Sequence, residues 1–477
     1  MPNQTFYWHD YETWGADPSR DRASQFAGVR TDADLNIVGE PLVIYNRPTP
    51  DMVPQPEACL VTGITPQEAL EKGLPERDFI RAIHAELSQP GTCGVGYNSI
   101  RFDDEVTRYT LYRNFFDVYA REWQNGNSRW DLIDVVRLCC ALRPEGIEWP
   151  VGENGAVSFK LELLTAANGL SHEAAHDALS DVHATIDLAR LIKREKPKLF
   201  DYALGLRKKQ HVAQLLDMNR QKPVLHISSR YPASRYCAAL VMPLAMHPVN
   251  KNSVIAVDLM ADPQPLIELS AVEVAKRVFA RTEDLAEGVE RIPLKEIHLN
   301  RSPMLATLNL LDESAQARLQ IDMARCERHW QQLSECSGLK LKLDDIYNQR
   351  HFEPETDPDR MLYSGGFFGN DDRRLMNEVL ECDGRKLAER SFPFTDKRLD
   401  DLLFRYRGRN FPDSLSPEEQ GLWQEFCHQR VHQDDGGGSI TAAACLTKIG
   451  QLRADSQLNA DKLAVLDALE RHVRTLP

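Results

Sequence analysis

Two carboxylates one residue apart sit inside an aromatic, apolar run, Phe6-Tyr7-Trp8-His9-Asp10-Tyr11-Glu12-Thr13. The run reads as a largely buried strand, and strand residues two apart share a face, so Asp10 and Glu12 aim at one point. Like charges held together out of water are unfavourable unless a proton or a cation compensates them. A fold built on this strand must therefore open that face to solvent or supply a partner for it. By itself the Asp-x-Glu pair favours the plainer outcome, two solvated carboxylates on an edge strand. A hard divalent cation bound through oxygen is the alternative, and it needs further carboxylates from elsewhere in the chain.

The first third of the sequence alternates strand-like and helix-like segments, which predicts an α/β domain. Strands are expected over residues 6–11, 25–31, 37–46 and 93–97. Thr65-Pro66-Gln67-Glu68 reads as a helix start with Thr65 as N-cap and Glu68 closing a capping box. Another helix is expected from about Leu132 to before Pro144, and residues 151–158 read as a Gly- and Asn-rich loop. A basic stretch from Lys193 to Lys209 marks a domain boundary. Residues 223–300 alternate short β-prone runs with turns, charged helical sequence follows to Leu341, and residues 351–360, with Pro354 and Pro358, read as a linker. Beyond it the chain is helical, interrupted by Gly365-Gly366 and by the flexible Gly436-Gly437-Gly438-Ser439.

A chain of 477 residues has room for two to four domains. No apolar stretch approaches the roughly 18 residues that would span a bilayer, and Met1-Pro2-Asn3-Gln4 does not read as a secretion signal, so a cytoplasmic location and no membrane partner are expected. The 10 cysteines are scattered without a Cys-x-x-Cys, which argues against zinc ribbons and thioredoxin-type pairs and for reduced thiols. The net charge of −14 opposes a nucleic-acid partner only superficially. Residues 1–190 hold 29 Asp and Glu against 16 Lys and Arg, leaving the remainder nearly balanced at 42 against 41. Bound metal would offset part of the N-terminal excess, and a polyanionic substrate would need arginines placed locally.

Two later segments supply the missing acids. Tyr97-Asn98-Ser99-Ile100-Arg101-Phe102-Asp103-Asp104-Glu105 puts Asp103 at a loop-to-helix junction, where a helix N-cap is the competing role. His176-Asp177-Ala178-Leu179-Ser180-Asp181 sets a histidine five residues before an aspartate, so a helix starting near Asp177 brings both to one site; a lone histidine there would more often be structural. The order Asp-x-Glu, Asp after a Tyr-Asn loop, then His-x-x-x-x-Asp resembles the histidine-bearing branch of the DEDD 3′→5′ exonuclease superfamily. Its four acids fall on Asp10, Glu12, Asp103 and Asp181 and its histidine on His176. Longer stretches are similar to the bacterial exonuclease I family: Arg101-Phe102-Asp103-Asp104-Glu105-Val106-Thr107-Arg108, Asn127-Ser128-Arg129-Trp130-Asp131, Tyr363-Ser364-Gly365-Gly366-Phe367-Phe368 and Arg405-Tyr406-Arg407-Gly408-Arg409-Asn410-Phe411-Pro412.

The resemblance implies a ribonuclease H-like α/β nuclease domain with a mixed sheet over residues 1–192. An SH3-like β-rich domain at 197–350 and a helical C-terminal domain at 353–477 would follow. It implies processive 3′→5′ degradation of single-stranded DNA to mononucleotides, in repair and recombination. Asp10, Glu12 and Asp181 would hold the tighter of two magnesium ions, with manganese able to substitute. Asp103 would hold the second ion directly or through water, His176 would be the general base, and Glu12 would also receive the terminal 3′-hydroxyl. Ser158-Phe159-Lys160-Leu161-Glu162 departs from the family's Ser-Phe-Arg-Leu-Glu, which keeps charge at Lys160 but loses the bidentate fork of an arginine.

Aromatics and arginines interleave between Tyr97 and Arg143, a composition that suits a single strand held by stacked bases and cations. Arg108, Tyr119, Trp123, Arg137 and Lys160 are the expected substrate contacts, whereas aromatics at helical spacing such as Tyr112, Phe115, Phe116 and Tyr119 belong more often to a core. Arg143 and Tyr202 are candidates for docking the acidic, apolar C-terminal tail of single-stranded DNA-binding protein, a partner the resemblance implies. A monomer suffices if one chain closes the groove. An exoribonuclease on the same core and a non-catalytic DNA-binding scaffold are the competing readings.

Overall fold

The computed structural model describes residues 4–152, 155–172, 177–349, 353–454 and 458–477. Its contacts divide the chain into two compact units, Met1–Ser128 with His172–Ile186 and Pro354–Pro477, and Arg129–Ser171 with Asp187–Glu353.

In the first unit, strands β1 (Thr5–Thr13), β2 (Ala23–Thr31), β3 (Leu42–Tyr45) and β4 (Thr92–Gly96) lie in the order β3-β2-β1-β4. β1 runs antiparallel to β2 and parallel to β4, which makes the sheet mixed and puts the Asp-x-Glu strand in its interior. The edge-strand position that would have solvated the pair is thereby excluded. The strand expected over 37–46 is shorter, because Ile37 makes only an isolated bridge to Thr31 before Leu42–Tyr45 pairs with β2. The Thr65 hydroxyl accepts the Glu68 N–H as expected. The Glu68 carboxylate, however, pairs with Lys72 at 2.8 Å, so only half of the capping box forms.

The core under this sheet is built from distant parts of the chain. Phe26, Phe79, Ile80, Leu111 and Phe115 bury with Val379, Leu399, Leu402 and Tyr406 from helices Asn370–Leu380 and Arg398–Asn410. A second buried cluster joins Trp14, Cys59 and Ala69 to Cys445, Ile449, Leu466 and Leu469 of the last two helices. Between them lies a buried ionic clasp. Asp51 meets Arg22 at 2.9 Å and Arg409 at 2.7 Å, Asp359 meets Arg409 at 2.5 Å, and Asp357 meets Arg430 at 2.8 Å. The segment read as a linker thus sends Asp357 and Asp359 into the interior. The Gly-rich turn read as flexible packs on helix Pro417–His432, where a Cβ on Gly436 would come within 2.2 Å of the Gln429 carbonyl oxygen.

The strand β5 (Ser128–Asp131) carries the chain into the second unit, and the Asp131 carboxylate caps helix Leu132–Leu142 through the Ile133 N–H. Strands β6 (Val224–Ile227), β7 (Ala238–Met246), β8 (Ser253–Asp258), β9 (Leu294–His298) and β10 (Met304–Ala306) form an antiparallel sheet in the order β10-β6-β7-β8-β9. The basic stretch before it is largely helical, Pro197–Gly205 and Lys209–Leu215. All ten cysteines are unpaired, and among the described residues no helix is long and apolar enough to cross a membrane.

Candidate active site

β1 presents Asp10 and Glu12 on one face, with Asp10 opposite Ala27 and Glu12 opposite Gln25 on β2. The parallel neighbour β4 ends at Gly96, where a Cβ would lie 2.8 Å from the His9 carbonyl oxygen and 2.6 Å from the Ser99 Cβ. This close approach, followed by Asn98 at φ +66°, turns the chain into helix Asp103–Arg113 beside β1. Asp103, 4 % exposed at the first turn, accepts the Tyr11 backbone N–H at 3.1 Å. Asp181 comes from the first turn of helix Ala178–Glu195. One carboxylate oxygen from each of Asp10, Glu12 and Asp181 lies within 4.8 Å of the others.

The electrostatics of this cluster are those of an incomplete site. Burial raises the Asp10 carboxyl well above the usual range, and the charges of Asp103, Glu12, Asp181 and Asp177 push it further the same way. Glu12 is pushed up to about 8, by burial first and then by Asp181, Asp103 and Asp177. Among the described residues no arginine or lysine pairs with Asp10 or Glu12. The neighbouring Asp104, by contrast, meets the buried Arg121 at 2.8 Å. A set of buried and half-buried carboxylates in which the two strand acids have no arginine or lysine partner among the described residues fits a hard divalent ion, which would supply the missing charge and bring the carboxyls back to the ionised form.

Three family matches cover the chain. Residues 7–189 match the family described as exonuclease, 207–349 the exonuclease I SH3-like domain, and 356–476 the exonuclease I C-terminal domain. Exodeoxyribonuclease I of Escherichia coli K12 is 46% identical over 426 residues, which is 89% of either chain. This chain belongs to the exonuclease I family. The structure of a moderately thermophilic exonuclease I from Methylocaldum szegediense superposes with a TM-score of 0.96 at 48% identity, covering 99% of each chain. The zinc-bound form of the E. coli exonuclease I complex with single-stranded DNA does so with a TM-score of 0.94 at 43% identity, again over 99% of each. The expected class is borne out: a ribonuclease H-like α/β domain with a mixed sheet, then the SH3-like and helical C-terminal parts.

Within this exonuclease I fold the expected site residues fall into three groups. Asp10, Glu12, Asp103 and Asp181 converge as described, while His176 lies outside the described residues. A different histidine, His172, sets its Nε2 2.5 Å from Asp181 Oδ1. Sequence reading passed over it and over Asp177, whose charge acts on both strand carboxyls. The spacing His172-x-x-x-His176 just ahead of the helix was the available signal.

Arg108, Tyr119 and Trp123 belong to the first unit. Arg108 is buried with its donors engaged: Nε and Nη2 bind Glu122 at 2.8 and 2.9 Å, and Nη1 binds Glu105 and the Tyr363 hydroxyl at 2.8 and 3.0 Å. Its guanidinium also lies over the Tyr119 ring, 5.4 Å from the centroid. Trp123 is 66 % exposed. Phe115 and Phe116 sit in the core.

Arg137, Lys160, Arg143 and Tyr202 belong to the second unit. Arg137 pairs with Asp134 at 2.7 Å and lies over Phe159, whereas the Lys160 side chain is 72 % exposed at the start of helix Leu161–Ala167. Arg143 and Tyr202 line one cavity of about 510 Å³ with Leu142, Pro197, Leu199 and Leu310. Lys196 and Lys198 contribute to the same lining.

Proposed function

We propose that this chain degrades single-stranded DNA from its 3′ end to 5′-mononucleotides, processively, in DNA repair and recombination. The supporting observation is the convergence of Asp10, Glu12 and Asp181, with no arginine or lysine pairing with Asp10 or Glu12 among the described residues, in a chain whose relatives along nearly its whole length are exodeoxyribonucleases. Two magnesium ions held by Asp10, Glu12, Asp181 and Asp103, with manganese able to substitute, would neutralise charge on the scissile phosphate and activate water. Asp10, Glu12 and Asp181 would hold the tighter ion, and Asp103 would hold the other directly or through water. The backbone N–H of Tyr11 fixes Asp103 for that task. Glu12 also receives the terminal 3′-hydroxyl, and His176 takes the proton from the attacking water.

The strand is drawn to a domain rich in acids by local cations and rings. Lys160 and Arg137 bind phosphate, Trp123 and Tyr119 offer faces to bases, and Arg108 holds the Tyr119 ring in place while its own charge is shared with Glu122 and Glu105. The cavity at Arg143 and Tyr202 docks the C-terminal tail of single-stranded DNA-binding protein. Its apolar floor suits the side chains of such a tail, and Arg143, Lys196 and Lys198 suit its carboxylates. The enzyme works as a monomer in the cytoplasm.

The test is a time course on end-labelled single-stranded DNA, duplex DNA and RNA in magnesium. Release of mononucleotides from the 3′ end of single-stranded DNA alone, abolished by EDTA and by Asp10→Ala, is expected. Preference for RNA, or binding without cleavage, would contradict the proposal.

A further inference from the structure

An aspartate turns about two side-chain bonds, the second of them soft, so a carboxylate that must meet an ion at a set place needs a further contact to aim it. Asp103 has one in the Tyr11 backbone N–H, which donates to its Oδ1 at 3.1 Å. Asp181 stands on the first turn of helix Ala178–Glu195. Its backbone N–H goes to the Asp177 carbonyl oxygen at 3.0 Å, and its own carbonyl oxygen accepts the Thr185 hydroxyl at 2.8 Å. These bonds fix the main chain of Asp181 and leave its side chain free to rotate.

The contact that aims it comes from His172. Nε2 of this histidine lies 2.5 Å from Asp181 Oδ1, with the histidine side chain 7 % exposed. An ionised carboxylate can only accept, so Nε2 carries a hydrogen and donates it. Among the described residues no other donor reaches the Asp181 carboxylate. Tying one oxygen fixes the plane of the group and leaves lone pairs for an ion, and one Asp181 oxygen lies within 4.8 Å of an oxygen from each of Asp10 and Glu12. A nitrogen that donates to Asp181 has no lone pair with which to take a proton from water. His172 and His176, four positions apart, thus have separate tasks. His172 is also the residue at which the chain re-enters the first unit after Ser171, so the bond fastens the start of this returning segment to the helix that carries Asp181.

We propose that His172 is a positioning residue, whose Nε2–H holds the Asp181 carboxylate in the orientation that completes a divalent-ion site with Asp10 and Glu12. The proposal rests on the divalent-ion reading of the cluster given above. Groups that hold a ligand from behind in this way are worth about 10- to 100-fold in metal affinity or activity.

Manganese titration of the full chain without DNA, followed by electron paramagnetic resonance, reads the ion directly. His172→Ala is expected to weaken manganese binding about 10- to 100-fold. His172→Gln, whose amide nitrogen can stand where Nε2 stands, should recover most of that loss. His172→Asn, whose amide stands at the place of Nδ1, should not. With single-stranded DNA as substrate, the rate deficit of His172→Ala should shrink as magnesium is raised, a response that a merely structural role would not give. Circular dichroism checks the fold, and where His172→Ala does not fold, the comparison of His172→Gln with His172→Asn carries the test. Unchanged manganese affinity in His172→Ala, or equal losses in the Gln and Asn variants, would overturn the proposal. So would tighter binding by His172→Ala, which would make His172 a competitor of the ion for Asp181. A rate deficit that no magnesium concentration relieves, with affinity unchanged, would overturn it by placing His172 in the chemistry. Absence of manganese binding by the unmodified protein strikes the divalent-ion reading and the proposal together, whereas binding that is the same in every variant strikes the proposal alone.

Discussion

The first unit buries two clusters of carboxylates, and they have opposite electrostatic characters. Around Asp51, Asp357 and Asp359 the arginines Arg22, Arg405, Arg409 and Arg430 hold the carboxyls below their usual range even against burial, which alone would raise them. Around Asp10 and Glu12 burial and like charge act together, and among the described residues no arginine or lysine pairs with them. The difference separates a clasp, complete within the chain, from a site completed from outside it. The clasp fixes Arg398–Asn410 and Pro417–His432 against Asp51, and the open cluster has the donor set of a divalent-ion site.

Mutations should split the two clusters cleanly. Asp181→Ala is expected to lower turnover on single-stranded DNA by at least about 10³-fold with the fold retained, as the loss of a group acting in a catalytic unit does. Steady-state rates in magnesium with circular dichroism check it, and normal turnover would remove Asp181 from the site. Asp51→Ala leaves buried arginines uncompensated and should cost about 3–5 kcal/mol of stability, read by urea unfolding, while folded protein keeps its turnover.

The response to pH should also differ in sign. Glu12 keeps its proton up to about 8 in the folded, metal-free protein but only to its ordinary 4.5 when unfolded. The folded state therefore binds more protons across that window, and this cluster's contribution to stability falls as pH rises through it. Magnesium at 100 times its dissociation constant should add about 2.7 kcal/mol, most visibly near pH 8. The clasp runs the other way: Asp51 and Asp359 titrate below their unfolded values, so its contribution is present above about pH 4 and is lost as pH falls. Thermal melts from pH 2 to 8 with EDTA or magnesium check both, the clasp below about pH 4 and the Glu12 cluster above it. The smallest effect is expected at Lys160→Arg, which restores a bidentate fork at an exposed position and should lower KM a few-fold with kcat unchanged.

Local chemistry was legible in the sequence wherever it was written in neighbouring residues. The alternation on β1, the junction at Asp103, the helix from Leu132 and the entry into the Asp181 helix all follow from short-range patterns, and so do the four carboxylates. What escaped depends on partners far away in the chain. Residues 351–360 look like a linker because Asp357 and Asp359 find their arginines only after folding, with Asp51 some three hundred positions off. Gly436 looks flexible until helix Pro417–His432 is packed beneath it. For Arg108, expected as a substrate contact, nothing local announces Glu122 and Tyr363 as partners. Phe367 and Phe368 are indistinguishable in sequence; Tyr112 and Arg398, both distant in the chain, pack on Phe368 and Phe367 is left exposed.

The account stands on the open cluster being a divalent-ion site, and titration of manganese followed by electron paramagnetic resonance tests that most directly. The unmodified protein at pH 8 is expected to bind the ion, Asp10→Asn to lose that binding, and Asp51→Asn, wherever it remains folded, to keep it. Equal binding by the unmodified protein and Asp10→Asn, or no binding by either, would contradict it.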